Sequence, residues 1–349
     1  MSNNQTEIRL PTRQLGKNGP EVTAIGYGFM GLSVFYGKVG SDEERLALID
    51  NIYASGERNW DTADIYGDSE DLLGKWFKQS PGKREQIFLA TKFGIYNDPK
   101  TGQRSVRNDP EYIHQAIEKS LARLGLPYVD LYYAHRVNPD TPIEHTVREL
   151  KKLKEAGKIK YIGLSEVSAE TLRRASKIAH IDAVQVEYSA FSTEIEDPKI
   201  AVLRTARELG SAIVAYSPLG RGFLAGTIKS RDDLDPTDFR LLMPKFTPEN
   251  FHKNLELVHG IEKIAQRKAI TPGQLVLAWL LAQGDNVIPI PGTTNAKRLD
   301  ENLGALAVTL TKEENDDLRQ LIDNTEVRGD RYPAQMSTWL FGNTKPLDE

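Results

Sequence analysis

Ile87-Phe88-Leu89-Ala90-Thr91-Lys92 and Tyr128-Val129-Asp130-Leu131-Tyr132-Tyr133-Ala134-His135 are short apolar runs that each end on one ionisable side chain. Asn59-Trp60-Asp61-Thr62-Ala63-Asp64-Ile65-Tyr66-Gly67 repeats the plan with Asp61 and Tyr66. Near-continuous runs of this kind read as buried strands of a parallel sheet. Eight such runs fall near 24–28, 57–61, 86–92, 128–134, 159–164, 182–186, 211–216 and 286–290. Helical patterns separate most of them. Ser41-Asp42-Glu43-Glu44 opens one with a capping pattern and Gly56 closes it. Others occupy 109–124, ended by Gly125, and 143–156, between Pro142 and Gly157. Residues 168–179 and 198–209 follow, then a long zone over 250–283 broken at Thr271-Pro272. The alternation predicts an α/β protein with a (β/α)8 barrel, a doubly wound open sheet being the alternative. Gly16-Lys17-Asn18-Gly19 predicts a hairpin over 8–23 ahead of it.

No composition shift divides the chain, so one domain is expected over 1–349, with the barrel at about 8–325. Two segments break the rhythm: 217–249, and the tail at about 326–349. Long segments of this kind in a compact domain are usually lids or substrate loops.

The 349 residues carry a net charge of −4, with acidic and basic side chains interspersed. No dense Lys/Arg block offers a nucleic-acid surface. With no cysteine, disulfides, thiolate catalysis and Cys-ligated zinc are excluded, and no metal site is expected. The start is polar, and no apolar stretch reaches the ~18 residues of a membrane span. The expectation is a soluble, cytoplasmic protein that acts on a small molecule, with no membrane association and no obligate protein partner.

Two motifs mislead. Gly26-Tyr27-Gly28-Phe29-Met30-Gly31 matches the dinucleotide fingerprint, yet that site needs the third glycine to open a helix, and the first helix cap is Ser41. Tyr96-Asn97-Asp98-Pro99-Lys100 has Tyr-x-x-x-Lys spacing, but Pro99 and Asn97-Asp98 read as a surface turn.

Parallel barrel strands end at one face, so Asp61, Tyr66, Lys92 and His135 are expected to meet there. Alone, each has an ordinary reading: a helix cap, a packed aromatic, an exposed lysine, a structural histidine. Together they make a phenol with a cationic neighbour. A free phenol titrates near 10, and lowering that by about 3 units takes about 4 kcal/mol. A buried Lys92 is a candidate source of that field, and Asp61 either tunes it or only holds it in place. His135 either donates a hydrogen bond to a substrate oxygen or relays the proton. Such a group suits protonation of the alkoxide left when a carbonyl accepts hydride.

Trp60-Asp61-Thr62-Ala63-Asp64-Ile65-Tyr66-Gly67, followed by Thr91-Lys92 and Tyr133-Ala134-His135-Arg136, resembles the aldo-keto reductase superfamily from about residue 8 to 325. Gly28-Phe29-Met30-Gly31-Leu32-Ser33 is similar to the branch that contains pyridoxal reductases and fungal and plant aldo-keto reductases. The resemblance implies a (β/α)8 barrel and NADPH-dependent reduction of an aldehyde or ketone. It implies Tyr66 as general acid, Lys92 and Asp61 as its tuners, and His135 as the group that orients the carbonyl. It further implies that Ser165 and Gln185 hold the nicotinamide carboxamide and that Tyr216 stacks on the ring. Glu166 stands where many members carry Asn, and a carboxylate has no amide donor to give. Ser217, Pro218, Leu219, Gly220 and Arg221 would approach the pyrophosphate. Gly292, Thr293, Thr294 and Arg298 would take the 2′-phosphate beside a helix start, and Glu301 and Asn302 the adenine. A regulatory NADPH-binding subunit, like the potassium-channel β subunits, is the alternative on the same fold. A non-redox barrel enzyme of a sugar phosphate is a third reading. Phe29, Phe35, Tyr36, Trp76, Tyr332, Trp339 and Phe341 are candidate pocket walls for an apolar aldehyde.

Overall fold

Alternation along the strands decides which side chains reach the middle of the molecule. The computed structural model describes residues 8–347. It opens with the expected hairpin, β1 (Thr12–Gln14) and β2 (Glu21–Thr23), paired antiparallel. Then come β3 (Tyr27–Gly28), α1 (Asp42–Ala54), β4 (Asn59–Asp61), α2 (Ser69–Gln79) and β5 (Phe88–Phe93). A second hairpin, β6 (Ile95–Asn97) and β7 (Arg104–Val106), leads to α3 (Pro110–Leu124), β8 (Val129–Ala134) and α4 (Ile143–Glu155). The chain continues through β9 (Ile159–Ser165), α5 (Ala169–Ser176), β10 (Ala183–Glu187), α6 (Val202–Leu209) and β11 (Ala212–Tyr216). It ends with α7 (Pro248–Arg267), α8 (Pro272–Ala282), β12 (Val287–Pro289), α9 (Ala296–Gly304), α10 (Lys312–Asn324) and the single turn α11 (Ala334–Ser337). Among the described residues, no helix is long and apolar enough to cross a membrane.

Eight strands form one parallel sheet in the order β12-β11-β10-β9-β8-β5-β4-β3. The sheet curls until its edges meet. Gly26 N–H donates to the Pro289 carbonyl at 2.9 Å and Gly28 N–H to that of Pro291 at 3.2 Å. The fold is the expected (β/α)8 barrel. Two cores follow from the closure. Ala90, Leu131, Tyr133, Ala183, Ala212, Val214 and Ile288 fill the interior, and Leu15 and Val22 of the hairpin plug its lower end. Their strand neighbours Leu89, Tyr132, Ala134, Val184, Ile213 and Val287 point outward against the helices. Tyr133 needs room inside, which Gly163 on β9 supplies: a Cβ there would sit 2.3 Å from its ring.

The helix signals hold where capping chemistry was readable. Ser41–Glu44 and Thr271–Gln274 form capping boxes, Asp109 caps α3 ahead of Pro110, and Gly125 ends α3 in the left-handed region. Four elements are additional to the expectation: α2, α10, the single turn α11 and the β6–β7 hairpin. In α2, Leu72, Leu73, Trp76 and Phe77 form the buried face, and Trp76 meets Trp60 with ring centroids 5.0 Å apart. Tyr96–Lys100 lies in the β6–β7 hairpin and its turn, as the Pro99 argument required.

The seam between the first and last strands is tight. A Cβ on Gly292 would lie 2.5 Å from the Gly28 carbonyl oxygen. Gly292→Ala is therefore expected to lower the unfolding free energy by about 1–3 kcal/mol, as overpacking does. Urea denaturation of the cofactor-free protein measures it, and an unchanged midpoint would show that the seam yields without strain.

Candidate active site

The alternation that fills the barrel continues into its mouth. Ala90 leads to Lys92, Ala183 to Gln185, Val214 to Tyr216, and Tyr133 to His135. Lys92 is fully buried. Its ammonium donates to Asp61 at 2.5 Å, to the Thr62 carbonyl at 2.8 Å and to the Tyr66 hydroxyl at 3.5 Å. Gln185 donates to the other Asp61 oxygen at 2.8 Å. Tyr66 is brought back over β4 by a turn, its N–H bonding Ala63 O at 3.1 Å. Its ring meets His135 edge-on, with centroids 5.7 Å apart. The four expected residues are thus brought together.

Electrostatics differs from the expectation at Tyr66. Burial raises the phenol above its ordinary value; Lys92 pulls it down and Asp61 pushes it back up. Lys92 does not produce a net lowering, because burial of the phenol outweighs its field, which Asp61 at 2.5 Å from the ammonium partly offsets. Burial works against the charge of Lys92, but Asp61 and Tyr66 outweigh it and hold the ammonium protonated. Burial raises the Asp61 carboxyl against the pull of Lys92 and Gln185. His135 is pushed well below its ordinary value by burial first, then by Arg136, Lys92 and Arg104. The imidazole is therefore neutral, which suits a hydrogen-bond donor. Its buried Nδ1 has no partner among the described residues.

These groups open into a cavity of about 500 Å³, within the usual range of ligand sites. Asp61, Tyr66, His135, Ser165, Gln185, Tyr216, Ser217, Pro218, Leu219, Arg221, Gly292, Thr293, Thr294, Arg298, Glu301 and Asn302 all border it. Lys92 lies beneath, outside the lining. Gly220 turns away from it, since a Cβ there would meet Phe191 at 2.7 Å. Ser165 and Gln185 are direct cross-strand neighbours. Gln185 gives its N–H to Asp61, and Ser165 accepts from Arg136 at 3.2 Å. That leaves one carbonyl acceptor and one hydroxyl donor side by side, the complement of a carboxamide. Ser165 does not cap a helix; Ser168 caps α5.

At the far end Arg298 is exposed and makes no side-chain hydrogen bond or ion pair among the described residues. The amides behind it are not free. Asn295 caps α9 by accepting from Lys297 and Arg298 N–H, and the Thr293 hydroxyl is engaged with Asn295. An anion here is left the Thr294 hydroxyl and the guanidinium rather than the capped amides.

Three candidate walls lie elsewhere. Phe29 and Trp76 are in the outer core with Trp60, and Phe341 packs under Arg331, whose guanidinium lies 4.8 Å from its ring. Phe35, Tyr36, Tyr332 and Trp339 do border the cavity.

Glu166 explains the tail. Its carboxylate is fully buried and accepts from Arg331 through two nitrogens at 3.0 Å, from the Tyr216 hydroxyl at 2.9 Å and from Glu187 N–H at 3.1 Å. It sits in left-handed backbone at φ 52°, an uncommon state for a residue with a Cβ. Its carbonyl accepts from Gly342 N–H at 2.7 Å. Farther on, Arg174 donates to Thr344 O at 2.8 Å and Lys345 N–H to Pro139 O at 2.8 Å. Sequence reasoning missed this role because the partners are 165 residues apart. It also missed Arg136 and Arg104, although Arg136 directly follows His135.

A model of the Aldo/keto reductase family matches residues 24–323. The chain is 51% identical over 342 residues to the aldo-keto reductase yakc [NADP(+)] of Schizosaccharomyces pombe, covering 97% of this chain and 99% of that one. It is 51% identical over 337 residues to the aldo-keto reductase str7 of Strobilurus tenacellus, covering 95% and 97%. Among solved structures, the thermostable aldo-keto reductase Tm1743, in complex with the inhibitor epalrestat, superposes with a TM-score of 0.72 at 29% identity. That match covers 89% of this chain and 100% of Tm1743. The glycerol dehydrogenase AKR11B4 of Gluconobacter oxydans gives 0.79 at 25% identity, covering 97% and 98%.

Removing one partner of a buried ion pair costs about 3–5 kcal/mol. Arg331→Met should therefore destabilise the fold by about 3 kcal/mol at neutral pH and open the tail to trypsin. The pH dependence has a fixed sign. Arg331 and Arg136 hold the buried Glu166 below its ordinary 4.5, so the clamp contributes fully above that value and is lost as pH falls through the folded one. The gap between wild type and variant in urea unfolding should narrow in acid. A gap that stays constant down to about pH 3, well below the ordinary carboxylate range, would refute the clamp.

Proposed function

The chain belongs to the aldo/keto reductase family, and on that premise we propose that it is an NADPH-dependent reductase of aldehydes or ketones with Tyr66 as proton donor. The observation that carries this reading is the hydrogen-bonded series Gln185–Asp61–Lys92–Tyr66 beside a neutral His135, at the floor of a cavity whose other end holds an unpaired Arg298. NADP(+) stands in the name of the S. pombe relative. Reduced nicotinamide supplies the hydride. The Ser165 hydroxyl and Gln185 carbonyl would hold its carboxamide, with Tyr216 beside the ring. Ser217, Pro218, Leu219 and Arg221 would border the pyrophosphate, and the Thr294 hydroxyl and Arg298 guanidinium, flanked by Gly292 and Thr293, would take the 2′-phosphate. Glu301 and Asn302 would meet the adenine. The whole chain acts as one domain, a barrel with a substrate-facing tail.

Each catalytic side chain then has one duty. His135 donates a hydrogen bond to the carbonyl oxygen and polarises it. Tyr66 gives its phenolic proton to the same oxygen as it becomes an alkoxide, a far stronger base than a phenolate. Lys92, still charged, stabilises the phenolate left behind. Asp61 keeps Lys92 charged and aimed. The tail residues Tyr332, Met336 and Trp339 cover the reacting end from water.

Loss of NADPH absorbance with a panel of aromatic aldehydes tests the reading. Tyr66→Phe should lower kcat by about 10²–10⁴-fold while NADPH binding, read by fluorescence, persists. Tight NADPH binding by the wild type with no turnover on any carbonyl would overturn it. Arg298→Ala should raise the KM for NADPH about tenfold or more, the worth of a charge-assisted contact, and move that for NADH little; equal effects would sink the 2′-phosphate role. The raised Tyr66 phenol and the lowered His135 imidazole place both groups outside the neutral range. The kcat/KM for the carbonyl should accordingly be flat between about pH 6 and 9, and an inflection near neutrality would assign the proton to another group.

A further inference from the structure

Five arginines border the cavity, and their pairing sorts them. Arg221 meets Glu187 at 3.4 Å and Arg240 meets Asp238 at 2.7 Å. Arg298 is free, at the end assigned to the cofactor phosphate. The other two, Arg136 and Arg104, lie at the opposite end, beside His135, and no carboxylate among the described residues comes within 4.0 Å of either. Arg136 is 8% exposed. Its NH1 is used, donating to His135 O at 2.6 Å and to Ser165 at 3.2 Å. Its remaining nitrogens make no hydrogen bond among the described residues, yet they are not sealed in the protein, so they face the cavity. The fields of Tyr216 and Glu166 support the Arg136 charge against burial, but no hydrogen bond joins Arg136 to Glu166, whose two oxygens already take four, two of them from Arg331.

Arg104 comes from the β6–β7 hairpin, and its guanidinium lies 5.8 Å from the Trp339 ring of the tail. Arg104 is exposed on the hairpin, yet partial burial and the field of Arg136 hold it below its ordinary value. Guanidinium groups that bond no carboxylate offer an anion at this end charge-assisted hydrogen bonds. The wall between them is apolar and aromatic: Ile65, Ile95, Tyr332, Met336, Trp339 and Leu340.

We propose that the carbonyl substrate carries a carboxylate, seated between Arg136 and Arg104, with its apolar body against Trp339 and Met336. This deepens the reductase reading and rests on it. The carboxylate accepts hydrogen bonds from the free nitrogens of Arg136, which fixes the substrate relative to His135 and Tyr66; Arg104 closes on it from the hairpin. The two guanidinium groups thus act on binding and position, and neither takes part in the hydride or proton transfer.

The test compares 4-carboxybenzaldehyde with its methyl ester, which differ in charge and share the ring and aldehyde. With NADPH, wild type should give a kcat/KM for the acid at least tenfold above that for the ester, and the ratio should fall as salt rises. Arg104→Met, at an exposed hairpin position, should cut the acid-to-ester ratio about tenfold. Because Arg136 also supports Ser165, its variant is Arg136→Lys, which keeps the charge but loses the fork and should weaken the acid more than the ester. Binding gives an independent readout: benzoate should quench Trp339 fluorescence in wild type at concentrations where benzamide does not, and Arg104→Met should abolish the difference. Reduction of both aldehydes with equal efficiency, and a ratio unmoved by Arg104→Met, would overturn the carboxylate assignment and leave the reductase standing. Reduction of neither, across the carbonyl panel, would remove the reductase reading itself.

Discussion

One buried ion pair organises the molecule. Lys92 and Asp61 come from adjacent strands and are closed off from water together. Burying either charge alone would cost several kcal/mol, so the pair forms only if the strands reach their exact register. A shift by one residue would turn Lys92 outward and bring Thr91 inward. Gln185, from the far side of the barrel, completes the Asp61 shell. A polar bond across the interior thus rules out alternative closures that an all-apolar core would tolerate. The same pair reaches the site, because the ammonium that holds the strands also faces the Tyr66 hydroxyl at 3.5 Å.

Much of this was legible in the sequence. The apolar runs that end on Asp61, Lys92 and His135 mark both the parallel strands and the floor of the site. Capping pairs such as Ser41–Glu44 and Thr271–Gln274 mark helix starts through local chemistry. What stayed hidden depends on contacts between distant segments. Glu166 reads as an odd replacement for Asn beside the cofactor until Arg331 is found against it. Arg136 and Arg104 read as ordinary cations until the acids around them are found to be engaged elsewhere. The sign at Tyr66 was also out of reach, since it depends on how deeply the folded barrel buries the phenol against the pull of Lys92. Phe29 and Trp76 show the same limit: aromatic residues near the site in sequence were drawn into the outer core by Trp60.

Charge pairing divides the cavity into regions with different work. Where guanidinium and carboxylate are matched, as at Arg221–Glu187 and Arg240–Asp238, the walls are fixed and electrically quiet. Where they are unmatched, at Arg298 and at Arg136 with Arg104, the protein stores an attraction for anions. The reacting end between them is kept neutral overall by the Lys92–Asp61 pair and the uncharged His135. On the proposed reading such a field would suit two anions in one cavity, a cofactor phosphate at one end and a substrate carboxylate at the other, with the carbonyl between them.

The tail leaves and returns at one residue. Arg331 is held by the Glu166 side chain, and Gly342 by its main-chain carbonyl. The ten residues between them therefore form a loop whose closure is already set by the barrel, whatever their sequence. Closure entropy changes slowly with loop length once the ends are fixed. The segment can then lengthen, shorten or exchange its side chains with little consequence for the barrel beneath. The loop is thus a separable part: Tyr332, Met336 and Trp339 border the cavity, while the two anchors that hold them there belong to the backbone and side chain of one barrel residue.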